Sequence, residues 1–242
     1  MLFIVLSRRR SFSAIFTVWC ITWVAMPLQF TTVFANPTGG SVQSGSANIS
    51  TGPGGVTVRQ SSDRAVVNWG GFSINKGETT TFVQPGSKSA VLNRVTGGTA
   101  SHLNGNLNAN GQVYLVNKNG IVVGRTGRIN TAGFTASTHD VANSEFMAGG
   151  DMTFRGNSSA KVQNFGKIRA TDGDVTLIAR EVENHGRISA KKGTVSLAGG
   201  TEVLLKPSGA DGQRVFIKSG TGFVSNTGSI RATTAELRAA GG

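Results

Sequence analysis

Asn164-Phe165-Gly166-Lys167-Ile168-Arg169-Ala170, followed after four residues by Val175-Thr176-Leu177, is the stretch that decides the fold, because it comes back. Twenty residues on stand Asn184-His185-Gly186-Arg187-Ile188-Ser189-Ala190 and Val195-Ser196-Leu197. A further 42 residues on stand Asn226-Thr227-Gly228-Ser229-Ile230-Arg231-Ala232 and Ala235-Glu236-Leu237. A fixed period of this size marks stacked units, each burying its apolar face against the next. Within a unit, apolar and polar residues alternate, as in Lys167-Ile168-Arg169, which is the period of a half-buried strand. Ile168, Ile188 and Ile230 are its buried members. The pairs Asn164/Gly166, Asn184/Gly186 and Asn226/Gly228 suit turns at positive φ, which asparagine and glycine tolerate.

Two or three short strands in about twenty residues make one coil of a β-solenoid. Leucine-rich repeats of similar length need a regular leucine and asparagine pattern that this unit lacks. Coils stack ~4.8 Å apart, so Asn164 and Asn184 are expected to form an asparagine ladder at one turn. Val215/Ile217 falls on the next twenty-residue step after Val195/Leu197 and is expected to be a coil strand. Residues 202–211 have no Asn-x-Gly, and Lys206-Pro207-Ser208-Gly209 reads as a loop pushed out of that coil. Upstream, Gly127-Arg128-Ile129 precedes Gly166-Lys167-Ile168 by 39 residues and Val113-Tyr114-Leu115 echoes the Val-x-Leu strand. The solenoid is therefore expected to start before residue 113.

Composition changes at residue 39: none of the 34 glycines precedes Gly39. Residues 1–35 carry Arg8-Arg9-Arg10, an apolar stretch over 14–28, and Val33-Phe34-Ala35 with small residues at −3 and −1 of a cleavage point. This reads as a signal peptide cut between Ala35 and Asn36. Its apolar run is broken by Pro27 and is shorter than the ~20 residues of a membrane span, so no stable span is expected after cleavage. Cleavage leaves 207 residues and removes three of the 24 cations and none of the 12 acids, taking the net charge from +12 to +9. The single cysteine, Cys20, leaves with the leader. The mature chain then holds neither disulfide nor thiol, which suits passage unfolded through an oxidising periplasm. Residues 36–242 are expected to form one domain, with 36–110 as cap and first coils and 111–242 as regular coils. The chain stops at Ala239-Ala240-Gly241-Gly242, directly after a strand and with no capping segment. That ending is expected to mark a fragment or shortened relative of a larger protein.

Composition also argues against several kinds of function. A β-helix polysaccharide lyase would need clustered carboxylates for calcium, and only Asp172-Gly173-Asp174 clusters, at a position where a turn accounts for it. His102, His139 and His185 share no spacing with one another or with acids, no Gly-x-Ser-x-Gly elbow is present, and no glycine run precedes Lys-Ser/Thr. No catalytic residue, metal site or cofactor is expected. The basic balance raises nucleic acids, acidic glycans and lipopolysaccharide as partners. With Tyr114 the only tyrosine and Trp69 the only tryptophan beyond the leader, the aromatic interleaving of single-strand binding is missing, and no nucleic-acid partner is expected. Lys167, Arg169, Arg187 and Lys191 occupy outward strand positions, where cations keep a sheet surface soluble and its edges blunt.

The densest stretch runs through Asn93-Arg94-Val95-Thr96-Gly97-Gly98, Asn110-Gly111-x-Val113-Tyr114-Leu115, Asn117-x-Asn119-Gly120-Ile121 and Gly127-x-Ile129-Asn130 to Ala132-Gly133-Phe134-x-Ala136-Ser137-Thr138. Asn68-Trp69-x-x-Phe72-Ser73-Ile74 and Thr81-Phe82-x-Gln84-Pro85 precede it. Together these motifs closely resemble the N-terminal secretion domain of two-partner secretion exoproteins, the filamentous haemagglutinin, haemolysin and haem-acquisition group of Gram-negative bacteria. The resemblance covers roughly residues 36–140 in detail, and several linked motifs in matching order are more specific than any single one. It implies an all-β, right-handed parallel β-helix with an N-terminal β cap, in agreement with the repeat. It also implies recognition in the periplasm by an outer-membrane transporter carrying POTRA domains, and secretion across the outer membrane. In the wider molecule it implies an adhesin or haemagglutinin that meets a host or neighbouring cell surface. The alternative is the export module of a contact-dependent inhibition toxin.

Asn93, Arg94, Asn117, Lys118, Asn119 and Gly120 are the residues expected to carry transporter recognition. By turn chemistry alone, residues 117–120 read as a plain turn. Lys118 stands where the family usually has proline, and lysine loses the pre-set φ near −65° without forbidding the turn. Asn119-Gly120 are expected to supply the positive-φ positions.

Overall fold

The alternation of apolar and polar residues becomes three sheets wound into a parallel β-helix. In the computed structural model, which describes residues 36–206 and 213–241, each full coil lays one strand on each of three faces. Face one holds Ser101–Leu103, Ile121–Val123, Lys161–Asn164, Glu181–Asn184 and Phe223–Asn226. Face two holds Gly55–Gln60, Thr79–Val83, Asn106–Ala109, Arg128–Thr131 and Lys167–Ala170. Face three holds Arg64–Trp69, Ala90–Val95, Gln112–Val116, Gly133–Ser137 and Val175–Ala179. Arg187–Gly199 and Ser229–Ala239 run round the corner between faces two and three, joining them into one 14-stranded sheet. The predicted leader, the cleavage point at Ala35 and Pro207-Ser208-Gly209 lie outside the described residues.

Register turns sequence repeats into axial columns. Leu107, Ile129, Ile168, Ile188 and Ile230 are successive partners on face two. Val113, Phe134, Val175, Val195 and Ala235 do the same on face three. All but the last coil's members of both columns are buried, so burial at each coil is supplied by the coils on either side. Ala47–Gly52 and Ser41–Ser44 close the N-terminal end by pairing antiparallel with Gly55–Gln60 and Arg64–Trp69. Under this cap, Phe72 meets Trp69 edge-on at 5.5 Å and stacks on Phe82 at 6.5 Å, plugging the core with three buried rings. Antiparallel closure covers an edge that would otherwise template pairing with another chain.

The repeat's glycines have a different reason from the one its turn chemistry suggests. Gly166, Gly186 and Gly228 do not have positive φ. They form a column in which a Cβ on Gly186 would lie 2.3 Å from the Gly166 carbonyl oxygen, and one on Gly228 2.2 Å from that of Gly186. Glycine is needed because successive coils approach too closely there for any side chain. The expected coil strand at Val215/Ile217 is also corrected. Val215–Ser219 pairs antiparallel with Glu202–Leu205 outside the helix, and the coil resumes at Phe223, which accounts for the interval of 42 between Asn184 and Asn226. Rather than a loop at 206–209 alone, the whole of 200–222 leaves the coil.

Asn164, Asn184 and Asn226 are register partners, and the Nδ2 of each of the first two donates to the Oδ1 of the next at 2.7 Å. Asn164 Oδ1 also accepts from the Gly166 N–H at 3.1 Å. The column continues upstream as Val123 and Leu103, so the same position accommodates aliphatic chains. Replacing the middle member alone strands two buried amide groups: Asn184→Leu is expected to cost about 1–3 kcal/mol. Converting Asn184 and Asn226 together to leucine should recover part of that loss. Urea titration of the two variants checks this, and equal costs would show that the asparagines act independently.

Outside the ladder, face one balances its charges. Lys161 bonds to Glu181 and Glu183, and Gln163 donates to Glu183 at 2.7 Å. Hydrogen bonds from Gln163 and then Lys161 pull the Glu183 carboxyl from 4.5 down to about 2. A carboxylate depressed by folding stabilises above its unfolded pKa, and that contribution fades as pH falls towards the folded value. Glu183→Gln is therefore expected to flatten the stability profile between about pH 4.5 and 2 relative to the parent. Urea midpoints across that range provide the measurement.

Candidate functional site

Face three is roofed by two excursions, residues 138–160 and 200–222. The first contains a short helix, Asn143–Ala148, and the strand Met152–Arg155, which pairs antiparallel with Glu202–Leu205 of the second. Their apolar side chains, Phe146, Met152, Phe154, Val203, Leu205 and Val215, pack on outward residues of face three, including Leu92, Tyr114, Val116, Ile178 and Ala198. Tyr114 meets Phe146 edge-on at 5.2 Å, and burial pushes its phenol up to about 12. This second core explains why face-three strands read as continuous apolar runs, being covered on both sides.

Where the first excursion rejoins the helix, an open groove of about 740 Å³ runs between its return segment and the turn at 117–120. Arg94, Lys118 and Asn119 line one side, Arg155, Asn157, Ser158 and Ser159 the other, with Val116 and Thr138 among the remaining residues. Arg94 spends its guanidinium on the excursion itself: Nε donates to Asp140 Oδ1 at 2.9 Å, one terminal nitrogen to Asn143 Oδ1 at 2.8 Å, and the other to the Val141 carbonyl at 2.8 Å. Arg155 is paired with Glu145 at 3.4 Å and Glu202 at 3.3 Å. Lys118 stays exposed, while its backbone carbonyl accepts from Ser158 Oγ.

The asparagines of the recognition motifs build this groove from behind. Asn93 is buried and faces inward, between Val67 and Leu115 in register. Its Oδ1 accepts from the Trp69 indole N–H at 2.9 Å and its Nδ2 donates to the Tyr114 carbonyl at 3.3 Å. Asn117 is also buried. Its amide donates to Thr99 O and Ser101 Oγ, and its Oδ1 accepts from the Asn119 N–H at 2.9 Å, an Asx-turn. Gly120 closes the turn through its N–H to Asn117 O at 3.1 Å, with φ 109°. Only Gly120 has positive φ here: Asn119 does not, because its side chain instead reaches across to the Gly97 carbonyl at 2.8 Å and ties the turn to the coil before it.

The structure thus gathers Arg94, Lys118 and Asn119 at one groove and places Asn93 and Asn117 beneath it. Sequence reasoning missed Asp140, Arg155, Asn157 and Ser158. The available signal was the interval of 39 residues between Ile129 and Ile168, too long for one coil. Elsewhere, Asp174 pairs with Arg214 at 2.8 Å and accepts the Thr194 N–H, and Asp172 meets Lys192 at 3.3 Å. Among the described residues no group of three or more His, Cys, Asp or Glu is placed to hold a metal ion, and no helix is long and apolar enough to cross a membrane.

A capped parallel β-helix whose excursions frame a polar, cation-bearing groove defines a recognition module. Residues 34–240 match the TPS secretion domain, and the chain belongs to that family of two-partner secretion exoproteins. It is 35% identical to the heme/hemopexin-binding protein of Haemophilus influenzae (strain ATCC 51907 / DSM 11121 / KW20 / Rd) over 215 residues, covering 85% of this chain but only 24% of that relative. Among solved structures, the HMW1 secretion domain from Haemophilus influenzae matches with TM-score 0.70 and 33% identity, over 84% of this chain and 57% of that one. The filamentous hemagglutinin secretion domain matches in fold with TM-score 0.60 at 17% identity, over 83% of this chain and 78% of that one.

Proposed function

We propose that this domain directs a longer exoprotein to a dedicated outer-membrane transporter, and that the groove beside residues 117–120 is the surface the transporter's periplasmic POTRA domains read. The observation that carries the reading is the division of labour among the motif residues: buried Asn93 and Asn117 fix the backbone, while Lys118 and Asn119 present groups to the groove. Side chains fixed from below lose little freedom on binding, which favours a specific partner. The length of the heme/hemopexin-binding relative supports a wider molecule whose later parts meet a host or neighbouring cell surface, as an adhesin or a haem-acquisition protein. The leader at 1–35, cut between Ala35 and Asn36, would bring the chain to the periplasm.

Co-expression with the cognate transporter and measurement of exported chain in the medium tests this. Lys118→Glu and Asn119→Ala should each lower export several-fold while the purified variants keep the parent's urea midpoint. Lys118→Pro, which restores the family's usual residue, should retain export by a transporter that reads the turn's shape rather than the lysine charge. Undiminished export of both Lys118→Glu and Asn119→Ala would remove the groove from the recognition surface.

A further inference from the structure

The two uncovered faces of the helix treat charge in opposite ways. Face one interleaves Lys161 with Glu181 and Glu183. Face two does not interleave. Its outward positions make two columns, one through Asn106, Arg128, Lys167, Arg187 and Ser229, the other through Asn108, Asn130, Arg169, Ser189 and Arg231. Each step is one coil, ~4.8 Å, so Arg128, Lys167 and Arg187 stand as three like charges in consecutive register. All five cations are exposed, and among the described residues none has a hydrogen-bond or ion-pair partner and no acidic side chain stands in either column. Like charges directly opposite one another destabilise a sheet, a cost that the same fold avoids on face one.

We propose that face two binds a linear sulfated polysaccharide of the glycosaminoglycan kind, laid along the helix axis. Four of the five cations are arginines, whose planar fork bonds two oxygens of one sulfate, a match that a lysine point charge lacks. The columns are straight and the sheet is open, so the surface fits an extended chain bearing regularly repeated anions. Asn130 and Ser189 lie between the cations of the second column and offer hydrogen bonds to hydroxyl or carboxylate groups of the sugar. The columns contain no aromatic side chain for bases to stack on, which disfavours single-stranded nucleic acid. Face two is separate from the groove beside residues 117–120, so this binding is independent of the transporter reading.

Heparin is the probe, titrated against the exported chain at low and at physiological salt. The column triple R128Q/K167Q/R187Q should bind about tenfold more weakly or worse and show a flatter dependence on salt. The control triple K76Q/K88Q/K218Q, of equal charge loss at exposed sites outside the columns, should bind nearly as the parent does. The pair R169Q/R231Q provides a second test from the neighbouring column and should weaken binding in the same direction. Export of the column triple should be unchanged, so that loss of heparin binding and loss of transporter recognition can be told apart. Equal weakening in both triples would reduce the effect to net charge and overturn the proposal. So would a parent that ignores heparin, or one that prefers lipopolysaccharide vesicles or single-stranded oligonucleotides to it.

Discussion

Gly186→Ala is expected to destabilise the helix by about 1–3 kcal/mol or more, the range for overpacking a filled site. The added methyl would sit 2.3 Å from the Gly166 carbonyl oxygen and 2.8 Å from the Asn164 amide nitrogen. The carbonyl belongs to the backbone of the adjoining coil, so relief requires that coil to move. Movement there would disturb the Asn164–Asn184 bond, because Gly186 lies two residues from Asn184. Gly98→Ala is the matched control: its Cβ would meet nothing within 4 Å and its φ is not positive. Urea midpoints of the two variants decide the matter, and a Gly186→Ala protein as stable as Gly98→Ala would show that the coils are not in close contact at this column.

Asn93→Ala is the second large effect, expected to cost about 1–3 kcal/mol from stranded hydrogen-bonding groups alone. Removing the amide leaves the Trp69 indole N–H without its acceptor in a buried site, and takes one donor from the Tyr114 carbonyl. A partner-swap isolates this cause. Trp69→Phe removes the donor, so Asn93→Ala should cost less in a Trp69→Phe background than in the parent, as a double-mutant cycle measures. Reduced export of Asn93→Ala should then track its lost stability. A variant with parental stability and abolished export would mean instead that the transporter reaches Asn93 itself.

Much of the fold was legible because the β-helix repeats its chemistry in sequence. Ile168, Ile188 and Ile230 were assignable to one buried column from spacing alone, and register places them there. Asn164/Gly166 was legible as a recurring device but not for the right reason. Turn chemistry speaks of φ, whereas the actual constraint on the glycine is the distance to the next coil, which one sequence does not display. Val215/Ile217 misled because a twenty-residue interval arose by chance across an excursion. Its antiparallel partner, Glu202–Leu205, carries no repeat signal. The groove was half legible: the motif turn at 117–120 stood out, but Arg155 to Ser159 arrive from a segment without periodicity. Asn93 and Asn117 looked like surface readers because asparagine is usually exposed. Inside a solenoid, every inward position has a neighbour one coil away, so a polar residue there finds a partner.

The roof over face three also bears on how the molecule would respond to tension along its axis. In an unadorned solenoid, coils contact only their neighbours and peel off one at a time. Here the strand Met152–Arg155, which enters after Gly133–Ser137, is stitched by backbone hydrogen bonds to Glu202–Leu205, which leaves after Arg187–Gly199. Arg155 adds an ion pair to Glu202 across the stitch. The strap therefore bypasses the intervening coil containing Val175–Ala179. A pull on the C-terminal end meets the last coil first, then a block of three coils that yields together when the strap tears, and only afterwards the separate coils towards the cap.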